Sequence, residues 1–314
     1  DRGIGGTGIV GTITGCASVC INGLEVAIGP AAAVSVDGRA ASPAALRVGQ
    51  VATIAASGSG AKLAADSIRV AHAVTGPVRA VSADGLALDV AGQRVLRTAT
   101  TPMPPGLQPG AWVAVSGLND REEAIRATRI DPAPPGPVAV SGLLQRTADG
   151  WRIGALRLRF ARAAGAPPRG SRVVLAGTPS GAGVLLVRHA MRDPPLPAGL
   201  PTARLVVEGY VTASPRGLEL GEDVHASIAP SFGPPPPADT PAVVEFAGTT
   251  SGLVAVGWHA GASHGGGPAA GHPSHPAARG MSPVSGSVAG VGAASASGTA
   301  ASSAASAPAA PGDA

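Results

Sequence analysis

Apolar residues in this chain alternate with polar or small ones in short runs and rarely recur at helical spacing. The cleanest run sets Leu156, Leu158 and Phe160 against Arg157 and Arg159. That period of two puts one face of a strand into a core and the other into solvent. Leu86 to Val90 alternates the same way. In the first part of the chain the pattern predicts strands over Gly11 to Thr14, Ser18 to Ile21, Leu24 to Ile28, Gln50 to Ala55 and Asp66 to Ala71. Asn22-Gly23 stands between the second and third, the pair that a type I′ hairpin turn demands. Ser42 followed by Pro43 predicts one short helical turn, with the serine as cap and the proline at the first position.

The stretch from Leu46 to Ile54, with Gly49 just before its strand, returns at Leu107 to Val115 around Gly110 and at Pro168 to Leu175 around Gly170. A more worn copy runs from Thr240 to Gly248. The glycines lie about sixty positions apart, the period of a small domain and not of a solenoid turn. The expected order within each copy is three strands, a connection, then two strands. In about sixty residues this matches a five-stranded OB-like barrel. The expected fold is therefore all-β: a lead-in over residues 1–8, barrel repeats over 9–74, 75–131, 137–193 and 203–260, and a tail over 261–314. Pro-rich stretches such as Pro132 to Gly136 and Pro194 to Gly199 read as stiff linkers between them.

Composition sharpens this picture in three ways. Hydrophobic residues make up 45% of the chain but aromatic ones only 2%, so each core must be built from Val, Leu and Ile. The 46 glycines and 31 prolines favour tight turns over long helices. From Gly261 onward Gly, Ala, Ser and Pro take over, and burial there could not offset the entropy of ordering; the tail is expected to be disordered.

The opening run Gly6 to Gly15, the hairpin Ile21 to Val26 and the recurring Leu-x-x-Gly-x-x-Val resemble bacterial exported proteins that carry tandem copies of the domain of unknown function numbered 5666. The likeness covers roughly residues 6 to 260. It implies an OB-like fold and a periplasmic or envelope location, and it implies no catalytic residue. The chain opens at Asp1 and not at methionine, as a processed exported protein would. No charge-free apolar run is long enough for a transmembrane helix.

Net charge is +4, with Lys62 the one lysine among 23 basic residues. The arginines are scattered, so the basic balance is weak evidence for a polyanionic partner. Single-strand nucleic-acid binding needs aromatic platforms in a basic groove, and the few aromatics here are spread over four repeats. Nucleic acid is therefore not an expected partner. The glycines before Ile9 lack the preceding strand and following helix of a phosphate-binding loop.

Cys16 and Cys20 are the only cysteines. Around a tight turn they would face each other and form a disulfide; on one strand they would sit about 13 Å apart as two inert thiols. His72, His189 and His225 fall near strand ends and read as solvated. His259, His264, His272 and His275 could bind a transition metal weakly. Asp120, Glu122 and Glu123 read as a solvated hairpin tip, and no acid/base pair, nucleophile elbow or cofactor motif is present. The expectation is a non-catalytic envelope scaffold or interaction module, with Arg157 and Arg159 on an edge strand facing a protein partner. The alternative is an oligosaccharide- or other ligand-binding module that uses Trp112, Trp151 or Trp258 on the barrel faces.

Overall fold

The computed structural model describes residues 6–261, apart from 16–17, 61, 121, 162–165, 182, 194–201, 215–216, 221–223, 238–239 and 250–251. The tail beyond 261, with His264, His272 and His275, and the linker at 194–199 lie outside the described residues.

Barrel 1 consists of β1 (Gly6–Thr12), β2 (Val19–Ile21), β3 (Leu24–Val36), β4 (Arg39–Ala40), β5 (Val51–Ser59) and β6 (Lys62–Val70). β1 pairs antiparallel with β5 and β5 with β6; β6 lies parallel to β3, and β3 antiparallel to β2. A single bridge between Ile13 and Ile21 completes the ring. Asn22 and Gly23 have φ of 54° and 74°, the two positive values that a type I′ turn requires. Pro43–Ala45 forms one 3-10 turn preceded by Ser42, but the Ser42 side chain makes no capping hydrogen bond.

Barrel 2 repeats this order with β7 (Val74–Val81), β8 (Ala87–Val90), β9 (Gln93–Leu96), β10 (Trp112–Asn119) and β11 (Ile125–Pro132). β9 and β11 are parallel, and β10 returns to β7, so five strands close fully. Barrel 3 has β12 (Val138–Leu143), β13 (Gln145–Thr147), β14 (Gly150–Ile153), β15 (Leu156–Phe160), β16 (Arg172–Pro179) and β17 (Val184–Arg192). Barrel 4 closes as barrel 2 does, from β18 (Thr202–Ser214), β19 (Gly217–Leu220), β20 (Val224–Ile228), β21 (Pro241–Thr249) and β22 (Gly252–Ala260).

The expected five-strand pattern is thus present, and the third and fifth strands lie parallel in every copy. Each barrel also carries a register shift at the same place in its fourth strand: Ala55/Ala56, Ser116/Gly117, Ala176/Gly177 and Glu245/Phe246. Such a bulge bends and twists a strand, which a small closed sheet needs.

The barrels are not beads on linkers. β1 of barrel 1 pairs in parallel with β18 of barrel 4 from Thr7 to Val10. β7 of barrel 2 pairs antiparallel with β12 of barrel 3. Two sheets of eleven strands result, one holding the outer repeats and one the inner. The cores follow: Val206 and Val243 of barrel 4 are buried within the barrel 1 core, while the apolar residues of barrels 2 and 3 form one cluster. One boundary moves as well. Gly6, Thr7 and Gly8 belong to β1 and not to a lead-in, because strands flank them on both sides.

Candidate functional site

Where the four barrels meet they leave a cavity of about 110 Å³. Barrel 1 contributes Val10, Val51, Thr53 and Arg69 to its wall, and barrel 2 contributes Leu118 and Asn119. From barrel 3 come Ser141, Leu143, Arg172 and Asp193; from barrel 4 come Leu205, Val207, Glu208, Tyr210 and Leu220. Leu205, Val207 and Leu220 belong to the barrel 4 core, whereas Val10, Val51 and Leu143 alternate with the core residues Ile9, Ala52 and Leu144 and so face away from their own barrels.

Its charged groups are held by the structure itself. Asp193 accepts a hydrogen bond from Arg69 Nη1 at 3.0 Å and lies 3.7 Å from Arg172 Nε. Glu208 is 3% exposed, and its Oε2 accepts the Thr12 backbone N–H at 2.7 Å, which ties barrel 4 to barrel 1. A buried carboxylate needs such donors to remain charged. Beside it, the Asn22 amide donates to Val10 O at 2.9 Å and to Val206 O at 3.4 Å, so this turn residue also pins the β1 and β18 strands. None of the three tryptophans lines the cavity.

The tryptophans are instead used in packing on three separate barrels. Trp112 on β10 and Trp151 on β14 pack against the joint core of barrels 2 and 3. Trp151 meets Phe160 edge to face, with ring centres 6.0 Å apart, and the Arg146 guanidinium lies 4.9 Å from the Trp151 ring centre. Trp258 on β22 packs on the barrel 4 core and donates Nε1–H to Pro234 O at 2.8 Å, using the proline-rich insertion as its acceptor. They form no common aromatic face.

Arg157 and Arg159 are exposed on β15 while Leu156 and Leu158 are buried, as the alternation predicts. β15 is not an edge strand, however. It pairs with β14 on one side and β17 on the other, because the barrel ring draws the fifth strand beside the third. Its backbone is therefore not open to a partner strand.

Two solvated readings also need correcting. Asp120 is 8% exposed: its Oδ1 accepts the N–H groups of Glu122 and Ala124, both at 2.9 Å, and its Oδ2 accepts Arg126 Nε–H at 2.7 Å. It builds the hairpin from within. His72 lies in the connection between barrels 1 and 2, with a side chain 9% exposed. Its backbone N–H donates to Asp37 Oδ1 at 2.9 Å, and its Nδ1 lies 2.8 Å from Asp37 Oδ2. Burial pushes the Asp37 carboxyl up, but the His72 hydrogen bonds and charge, with help from Arg39, outweigh it and hold the carboxyl below its usual 3.8. His189 and His225 are exposed, and His225 Nδ1 is 3.9 Å from Glu219.

Cys20 on β2 is disulfide-bonded, and Cys16, the chain's other cysteine, lies outside the described residues. Among the described residues no three His, Cys, Asp or Glu side chains cluster as metal ligands, and no helix is long and apolar enough to cross a membrane.

Barrel 2, a fully closed five-strand ring, decides the relationship. Residues 75–131 match the family described as Domain of unknown function (DUF5666). The match begins in β7 and ends in β11, so it spans barrel 2. No curated protein and no solved structure matches the chain.

The cavity was not legible in the sequence. Its polar residues come from four repeats and are spread along the chain from Thr53 to Tyr210. The one available signal was that Glu208 interrupts the apolar run Leu205 to Val211 with a charge on a strand otherwise destined for a core.

Proposed function

We propose that the chain is a non-catalytic scaffold or interaction module of the cell envelope. The observation that carries this reading is the fusion of its barrels: two continuous sheets and shared cores join them in pairs, and the Thr128–Gly49 and Arg69–Asp193 hydrogen bonds tie one pair to the other. Rigid presentation of a large surface is what such a body offers. What recurs between copies is strand order, turn and bulge, whereas the polar groups at matching positions differ, as with Glu25, Arg94 and Arg157. A site repeated for chemistry would be expected to repeat its polar group.

The partner surface includes the outward face of β15, where Arg157 and Arg159 are exposed. With both backbone edges of β15 already paired, recognition there runs through the guanidinium groups and favours an acidic protein surface. The test is affinity capture from envelope extract with the intact chain and with an Arg157→Glu/Arg159→Glu variant, followed by binding of the purified captured protein. Saturable binding of one acidic protein, lost on charge reversal, is the expected result. Equal binding by both forms would remove this face from the reading, and turnover of any substrate by the purified chain would overturn the reading itself.

A further inference from the structure

The cavity between the four barrels has a composition that selects a ligand class. Its two guanidinium groups, Arg69 and Arg172, are balanced by two carboxylates, Asp193 and Glu208. Both carboxylates already accept protein donors. A charged ligand would give up hydration and meet no surplus charge of opposite sign, which disfavours it strongly. The remaining polar wall mixes donors and acceptors: the Asn119 amide, the Tyr210 phenol and the Ser141 hydroxyl. Ser141 is 5% exposed, and its Oγ has no hydrogen-bond partner among the described residues. A buried hydroxyl left so is costly, and a ligand group able both to donate and to accept removes that cost. Leucine and valine side chains from all four barrels supply apolar surface for C–H groups.

From this we propose that the four-barrel cavity binds an uncharged polyhydroxyl group, as a free polyol or as the hydroxylated end of a glycan. Its volume of about 110 Å³ compares with roughly 150 Å³ for a cavity that holds the six non-hydrogen atoms of benzene, so about four non-hydrogen atoms can be enclosed. Arg69 and Arg172 are partly exposed members of the wall, with side chains 32% and 37% exposed, while Ser141, Glu208 and Tyr210 are buried. A longer chain would therefore leave past the two arginines. Because every barrel contributes to the wall, occupancy would also brace the junction.

The experiment titrates the intact chain with glycerol and, separately, with an N-acetylglucosamine trimer, read by saturation-transfer NMR and calorimetry. Saturable binding is expected, weakened about tenfold in Ser141→Val and again in Asn119→Leu, with unchanged far-UV spectra. Asn119 is only partly buried, so its variant keeps the test open if Ser141→Val fails to fold. Glycerol that saturates the site and displaces the trimer identifies a free polyol as the ligand. Trimer binding that glycerol cannot displace, yet both variants weaken, identifies a glycan end. Failure of both probes to bind would mean that the cavity holds water only and would overturn the proposal, as would binding that neither variant changes.

Discussion

Asp37 shows how much a single side chain contributes once its partners are known. It sits in the β3–β4 turn with φ of 49°, and its carboxylate takes two contacts from His72, which lies between barrels 1 and 2. Its folded pKa is lowered below 3.8. The resulting stabilisation is complete above that unfolded value and is lost as pH falls through the lower folded value. Asp37→Asn keeps an acceptor for the His72 N–H but removes the charge. With the carboxylate about one-third exposed, the variant should be less stable at neutral pH by about 1 kcal/mol, after discounting for solvent screening. That difference should shrink as pH falls below 3.8 and vanish once pH has passed the lower folded value. Thermal unfolding of both proteins across this range is the measurement, and parallel curves would show that the pair does not couple to folding. Nothing local in the sequence marks Asp37 or His72, because they are 35 positions apart and meet only when barrel 1 closes. Asp120 is hidden for a different reason: a carboxylate that accepts its own turn's N–H groups has the same sequence as one in solvent.

At the scale of elements, the glycine that marks each repeat has one shared duty and one that differs. Gly49, Gly110 and Gly170 take φ of 89°, 94° and 78° just before the fourth strand, a region other residues adopt only at a cost. A Cβ on Gly110 or Gly170 would meet nothing within 4 Å, whereas one on Gly49 would lie 2.8 Å from Thr128 O in barrel 2. Gly49 O also accepts the Thr128 hydroxyl at 2.5 Å. Alanine should therefore cost about 1–2 kcal/mol at Gly110 and Gly170 from backbone conformation alone. At Gly49 the cost should be larger by about another 1–2 kcal/mol, since backbone in a neighbouring barrel must shift. Equal urea midpoints for the three variants would remove the inter-barrel contact from the account.

The glycines at the bulges follow the same logic: a Cβ at Gly117 would come within 2.5 Å of Arg126 O. Much of this level was readable, since alternation, the Asn22-Gly23 turn and the sixty-residue period are local. What escaped was strand neighbourhood. Leu156 to Phe160 reads as an edge because its arginines face out, but parallel pairing to β17 depends on a strand more than twenty residues away.

At the scale of the whole molecule, the pairing of first with last and second with third repeats makes the outer barrels depend on each other. No periodicity announces it, because a strand that pairs with another barrel has the same alternation as one that pairs within its own. The Thr7 to Val10 stretch of β1 lies between β5 and β18, and Val206 and Val243 fill part of the barrel 1 core. The Glu208 carboxylate, 196 positions away, receives the Thr12 N–H. Ending the chain before Thr202 therefore takes more than one domain away. It uncovers one edge of β1, opens a gap in the barrel 1 core and leaves Thr12 without its acceptor, while β7, β12 and the joint core of barrels 2 and 3 keep every neighbour named above.

Hydrogen exchange followed by mass spectrometry should show peptides covering β1 exchanging about a hundredfold faster in the shortened chain, whereas peptides covering β7 and β12 keep their protection. The uncovered β1 edge should also make the shortened chain self-associate, since an unpaired strand is a template for another. If β1 keeps full protection and the chain stays monomeric, barrel 4 is an appended domain. The repeats would then be independent units whose contacts add nothing to one another's stability.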